Sequence, residues 1–315
     1  MSEPRHRIIY DTDPGVDDSM AFFLAHASPE IELLALTTVF GNGGIETTTA
    51  NALRLVETVD RPDIPVLRGA AKPLLHAYDG RGAMVHGSDG LGDSHMPPAS
   101  LQPANGRAAQ FIAEQIMAAP GEITLVAVGP LTNLALAVSL EPGIADAVRE
   151  VIIMGGAATV AGNASPVAEA NIHNDAAAAR IVFEAGWPLT MVGLDATQAT
   201  IMSSAYLDDL YAIGNPATDF IARIVPFYHR FHTRQGVDGI YVHDSSAIMY
   251  AIDPTLYETR SAYVRVCLGH EGTRGQTIPD WRSQWRAEPA CNVCLGVDAE
   301  RLKAMYRERL IHGFA

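Results

Sequence analysis

The chain reads as an α/β protein, a mainly parallel sheet flanked by helices with a small antiparallel addition near the carboxyl end. Three observations carry that expectation. Short apolar runs alternate with amphipathic segments through the first two thirds. The runs themselves are apolar throughout, as strands covered on both faces require. The 315 residues are 48% hydrophobic and 18% charged, which allows a large core without help from disulfides.

In chain order, RIIY (7–10) predicts the first strand, followed by an acidic turn and a helix over 17–27. IELLALTTVF (31–40) predicts a buried strand that ends at Gly41-Asn42. A helix over 45–58, the strand IPVL (64–67) and a helical stretch over 104–118 follow. EITLVAV (122–128) is a strand broken at Gly129-Pro130, with Pro130 suited to the first turn of the next helix. VREVIIM (148–154) ends at Gly155-Gly156, and a helix over 174–185 and PLTMVGL (188–194) complete the alternation. Residues 204–252 read as mainly helical. The stretches 262–269, 274–281 and 290–297 read as an antiparallel set, and Asp298 caps a final helix over 299–310. The whole reads as one Rossmann-like domain, 1–315, without linker or repeat. Residues 76–98, holding five glycines with His76, His86 and His95, interrupt the regular structure in the manner of a functional lid.

Composition narrows the function classes. Asp plus Glu number 36 against 22 Lys plus Arg, a formal net charge of −14, which makes nucleic-acid polymers poor partners. Three cysteines suit a reducing compartment. The start, MSEPRHRIIYDTD, has no apolar leader segment, and no run reaches 18 apolar residues, so a cytoplasmic location away from membranes is expected. Cys291 and Cys294 fall inside an apparent strand with no second pair, which favours buried cysteines over zinc, and Cys267 reads as core. The glycine-rich stretch 155–162 lacks the lysine of a P-loop. Arg301, Lys303, Arg307 and Arg309 read as the solvated face of the last helix.

Asp11-Thr12-Asp13-Pro14-Gly15-Val16-Asp17-Asp18 sets four carboxylates in eight residues. Helix capping accounts for one or two of them. Anions so crowded repel one another unless some are protonated or a cation sits among them. They stand at a strand's carboxyl end, where ligands bind in such sheets. A hard divalent cation held by oxygen ligands is the reading this favours. Other strand ends agree: Asn42, the carbonyl of Val128 before Gly129, Met154, then Asn163, Glu169 and Asn171 in the loop beyond, and His243-Asp244 opening a helix. Together they describe a pocket rich in carboxylates and amides and poor in Lys and Arg, which suits a neutral polyhydroxylated ligand.

On these residues the sequence resembles the nucleoside hydrolases of the inosine–uridine preferring type. DTDPGVDD matches that family's amino-terminal signature. The likeness continues through Thr37–Asn42, Val128–Asn133, Ile153–Gly156, Glu169–Asn171 with Asp175, His243-Asp244 and Thr273–Gln276. The resemblance implies that Asp13 is the general base and that Asp13, Asp18, Asp244 and the carbonyl of Val128 bind Ca²⁺. It implies that Asp17, Asn42, Asn163, Glu169 and Asn171 bind ribose hydroxyls with Met154 nearby, that His86 lies near the nucleobase, and that His243 assists the leaving group. Asp11 carries over as a supporting residue. It also implies a ribonucleoside substrate and a homo-oligomer, tetramer or dimer.

The residue types fit that chemistry. Cleaving an N-riboside passes through an oxocarbenium-like sugar, with activated water on one face and a stabilised base leaving the other. A bound Ca²⁺ holds water, lowers its pKa and chelates the ribose diol, and its six to eight oxygen ligands suit this donor set better than Mg²⁺ does. Purine and pyrimidine nucleosides both remain open, as does restriction to pyrimidines. Two other classes stay in view. A phosphohydrolase would use Asp11 as nucleophile and Asp13 as acid/base, but would need a basic residue for the phosphoryl oxygens. A non-catalytic nucleoside-binding protein would have no use for Asp13 and His243 together.

Overall fold

In the computed structural model of the chain, which describes residues 6–269 and 272–314, the strand predicted first runs through the interior of an eight-stranded sheet. The amino-terminal half comprises β1 (His6–Thr12), α1 (Val16–Ala27), β2 (Ile31–Thr38), α2 (Ile45–Thr58), β3 (Val66–Arg68), α3 (Ala83–His86), α4 (Ala108–Ala118) and β4 (Ile123–Ala127). Then come α5 (Thr132–Leu140), α6 (Ile144–Ala147), β5 (Glu150–Met154), α7 (Ala170–Asn174), α8 (Ala176–Phe183), β6 (Leu189–Val192) and α9 (Leu194–Thr197). The rest comprises β7 (Ile201–Met202), α10 (Ser204–Tyr211), α11 (Pro216–Arg234), β8 (Ile240–Tyr241), α12 (Asp244–Ile252), β9 (Tyr257–Ala262), β10 (Val264–Val266), β11 (Thr277–Pro279), β12 (Cys291–Val297) and α13 (Ala299–His312).

The large sheet has the order β3-β2-β1-β4-β5-β6-β12-β9, and every pairing in it is parallel except β12 with β9. Alternate residues of its strands pack on opposite faces. Ile8, Tyr10, Val126 and Ile152 join the core formed with α1, α11, α12 and α13. Ile9, Leu125, Val151 and Ile153 join a second core with α4, α5 and α8. Both parities are therefore apolar, which is why these strands carry no polar alternation. Because β1, β2, β4, β5 and β6 run the same way, Asp13, Asn42, Val128, Met154 and Gly193 all emerge at one edge. Among the described residues, no helix is long and apolar enough to cross a membrane. Residues 1–5, on which the expected absence of a leader partly rests, lie outside the described residues.

Several local expectations change. The three carboxyl-terminal strands do not form one antiparallel set. Residues 291–297 join the large sheet beside β6, while the other two stretches, β10 and β11, pair as a separate antiparallel ladder, as β7 and β8 also do. The edge strand beside β12, β9, was not anticipated, because Glu258–Ser261 are exposed and leave only Tyr257 and Ala262 as apolar markers. The helix expected from 104 begins at Ala108, since Ala104 instead bridges Leu67 and Arg107 is extended. Pro130 lies ahead of α5, whose N-cap is Leu131. Cys291 and Cys294 are buried, whereas Cys267 is only half-buried.

Candidate active site

The acidic turn is held shut by its own hydrogen bonds. Asp18 lies in the first turn of α1, where the helix dipole favours an anion. Its Oδ1 accepts from the Thr12 hydroxyl at 2.6 Å and from Asp13 N at 3.1 Å. Its Oδ2 accepts from Gly15 N at 2.9 Å and from Asn42 Nδ2 at 2.8 Å. Asp13 accepts from Asn42 N at 2.7 Å through Oδ2 and leaves Oδ1 buried without a partner. A Cβ at either Gly41 or Gly129 would run into the Asp13 carboxylate, so glycines after β2 and β4 leave the space that it fills.

Asp17 accepts from the Tyr228 hydroxyl at 3.2 Å, and its other oxygen, buried without a hydrogen bond, stands 3.7 Å from His86 Nδ1. Asp244 opens α12 across the cavity. One carboxylate oxygen from each of Asp17, Asp18 and Asp244 lies within 4.8 Å of the others, and all three residues are buried. This trio shares Asp18 and Asp244 with the set named from the sequence and adds Asp17, while Asp13 is held by the backbone N–H of Asn42. Burial, and then mutual repulsion, raises the pKa of Asp13 and Asp244 well above the usual carboxylate range. Asp18 is raised for the same reasons, and Asp17 is pushed to about 6 chiefly by burial. No Lys or Arg pairs with these four among the described residues. Buried carboxylates with orphaned oxygens and no basic partner are a fitting donor set for a hard cation. Asp11 stays behind the site, accepting from Thr37 Oγ1 at 2.6 Å and Asn133 Nδ2 at 2.8 Å, and burial pushes its pKa to about 7.

A cavity of about 500 Å³ opens above the acids. Asp17, Asn42, His86, Val128, Met154, Asn163, Glu169, Asn171, His243 and Asp244 all line it, so the structure brings together nearly every residue singled out from the sequence. Asp13 and Asp18 adjoin that lining through their hydrogen bonds from Asn42. The α7 wall is tightly determined. Glu169 caps α7, its carboxylate accepting from Asn171 N at 2.9 Å, Gly156 N at 3.0 Å and Ile172 N at 3.2 Å, while burial pushes its pKa to about 7. Asn171 Nδ2 donates to the carbonyls of Val128 at 2.7 Å and Met154 at 3.1 Å. The Val128 carbonyl does reach the site, but here an amide occupies it. Asn163 lies at the exposed rim and accepts from Ala170 N at 2.9 Å.

Aromatic rings form the remaining wall. His86 and Tyr228 lie 5.2 Å apart, Tyr228 and His232 4.4 Å, His232 and Tyr241 5.3 Å, and Tyr241 and His243 5.7 Å between centroids. His86 Nδ1 accepts from Val16 N at 3.1 Å, so its proton is on Nε2. His243 Nδ1 sits 2.8 Å from Thr197 Oγ1. Burial, with His232 and His86 nearby, pushes the His243 pKa to about 3, and burial pushes that of His86 to about 4, so both rings are neutral near pH 7. Tyr228, Phe231 and His232 reach the cavity from one face of α11, with Gln235 at its C-cap, and sequence reasoning had assigned them no role. Their i, i+3, i+4, i+7 spacing was the available signal. Arg81 lines the rim, paired with Asp79 at 2.8 Å.

Residues 8–304 match the family model described as inosine-uridine preferring nucleoside hydrolase. The chain is 39% identical over 316 residues to a probable uridine nucleosidase 2 of Arabidopsis thaliana, covering 98% of each chain. It superposes on a plant nucleoside hydrolase with a TM-score of 0.94 and 38% identity, covering 98% of this chain and 99% of that one. A purine-preferring ribonucleoside hydrolase from Gardnerella vaginalis gives a TM-score of 0.92 at 31% identity, covering 98% of each.

Proposed function

The chain belongs to the inosine-uridine preferring nucleoside hydrolase family, N-glycosyl hydrolases of ribonucleosides, and from that premise we propose a Ca²⁺-dependent reaction in which Asp13 is the general base and His243 supports the leaving nucleobase. The observation that carries it is the floor of the cavity. The converging carboxylates of Asp17, Asp18 and Asp244 adjoin the free oxygen of Asp13, opposite a wall of rings.

When bound, Ca²⁺ supplies the charge that lowers the pKa of a water and draws the ribose diol into place. Asp18, Asp244, Asp13 and the Val128 carbonyl would hold it, together with Asp17, whose carboxylate oxygen converges with those of Asp18 and Asp244. The unpartnered oxygen of Asp13 takes the proton of the attacking water. Asp17, Asn42, Asn163, Glu169 and Asn171 bind and orient the sugar hydroxyls, with Met154 packed beneath. The surrounding carboxylates favour positive charge developing on the sugar. On the other face the base leaves among His86, Tyr228 and His243. A neutral His243 serves as a hydrogen-bond donor in the tautomer whose Nδ1 accepts from the Thr197 hydroxyl 2.8 Å away and whose Nε2 carries the proton.

We read residues 1–315 as one catalytic domain, since α11, α12 and α13 share a core with α1. A narrower second reading, restriction to pyrimidine ribonucleosides, is favoured by the name of the Arabidopsis relative. Measuring kcat/KM for uridine, cytidine, inosine, adenosine and guanosine, with and without a Ca²⁺ chelator, tests both. Base release that chelation abolishes and Ca²⁺ restores is expected. Full activity in excess chelator would remove the metal from the mechanism, and turnover of inosine at the uridine rate would remove the pyrimidine restriction.

A further inference from the structure

His173 lies on α7, on the wall that begins at Glu169, and Arg274 lies in the turn between β10 and β11. An Arg274 terminal nitrogen is 3.2 Å from His173 Nε2. A guanidinium has donors and no acceptor, so Nε2 accepts and the ring carries its proton on Nδ1. The adjoining glycine makes the approach possible. Gly275 has φ +78°, and a Cβ there would lie 2.7 Å from His173 Cα. His173 is 8% exposed and lines the cavity, and among the described residues nothing hydrogen-bonds to its Nδ1. The titratable and charged groups around it are Arg274, Arg81, Asp79 and His76, a neighbourhood separate from the ring wall around His243.

The shape of a nucleoside says what this donor meets. In a furanoside, C1′ with its base and C4′ with its hydroxymethyl group flank the ring oxygen, and the diol occupies the opposite edge. With the diol over the carboxylates and the base against the rings, C5′ turns toward the α7 wall. Resting on the ribonucleoside reading above, we propose that His173 is a specificity-determining residue that donates from Nδ1 to the 5′ oxygen of the sugar, and that Arg274 is the positioning residue that fixes this tautomer.

The test compares uridine and inosine with their 5′-deoxy counterparts, using wild type, His173→Phe, Arg274→Gln, Arg274→Lys and the double variant His173→Phe/Arg274→Gln. Phenylalanine keeps the ring and loses the donor. One hydrogen bond is at stake, so His173→Phe should lower kcat/KM on the 5′-hydroxyl substrates ~10-fold and leave the 5′-deoxy substrates within about twofold. Arg274→Gln should narrow the same ratio and add little in the double variant, because both changes act on one bond. Arg274→Lys, still a donor only, should restore it in part. If His173→Phe does not fold, the two Arg274 variants carry the comparison. Equal losses on both substrate types, or an unchanged ratio, would overturn the assignment. Failure of wild type to release base from any ribonucleoside would overturn the functional reading instead, so the two failures are told apart.

Discussion

Lowering the pH from 7 to 5 should weaken Ca²⁺ binding at least ~10-fold, and Asp17 sets that minimum. Burial pushes its pKa to about 6, so metal-free protein holds it mostly ionised at pH 7 and mostly protonated at pH 5. One unit below the pKa, a cation that needs the carboxylate loses ~10-fold in apparent affinity. Asp13 and Asp244, whose pKa values burial also raises, add to the loss. The same shifts act on the metal-free fold. With folded pKa values above the unfolded ones, the folded state binds more protons across the interval between them, and its stability falls as pH rises through that window. For Asp17 the change from 3.8 to about 6 amounts to up to ~3 kcal/mol once the group is ionised. Titration calorimetry of chelator-stripped protein at pH 5, 6 and 7, with thermal unfolding of the same samples, reads both effects. Expected are affinity that rises with pH, protons released on binding, and a metal-free Tm that falls as pH rises while Ca²⁺ recovers more of it at pH 7 than at pH 5. Equal affinity at pH 5 and 7 without proton release would refute a cation held by these carboxylates.

Three further outcomes follow from the geometry. Asp13→Asn keeps the shape of the turn but cannot take a proton, so kcat in the metal-loaded variant should drop by ~10²–10⁴, and near-normal kcat would remove Asp13 as the base. A site built to pair sugar hydroxyls should reject 2′-deoxyuridine relative to uridine by ~10⁴, and equal kcat/KM for the two would contradict the sugar-binding role of the acidic floor and the α7 wall. His243→Ala should slow uridine or inosine hydrolysis by ~10² while sparing a ribosyl p-nitrophenol, whose leaving group departs unaided; parallel losses would leave His243 a scaffold residue.

The parallel half of the fold was legible because its strands are bounded by glycine, proline or charged turns and the central ones, β4, β5 and β6, are buried on both faces. The place of β12 was not, because insertion beside β6 is a pairing across more than a hundred residues that leaves no local mark. The edge strand β9 was hidden by its exposed polar middle. At the site, the acidic turn announced itself because four anions in one turn have few physical explanations. Which of them converge depends on three-dimensional detail: the backbone N–H of Asn42 takes up Asp13, and helix α12 brings Asp244 to Asp17 and Asp18. The role of α11 was veiled because its cavity residues share a helix face with core positions such as Ile221 and Val225. His173 and Arg274 meet only through the close approach at Gly275, which no short motif encodes.

The most direct measurement follows uridine and inosine by NMR in phosphate-free buffer with Ca²⁺, comparing wild type with Asp13→Asn. Free ribose and free base in equal amounts, formed by wild type and nearly absent with the variant, are expected of water attack assisted by Asp13. Cleavage that requires added phosphate, or equal ribose release by both proteins, would contradict hydrolysis at this site.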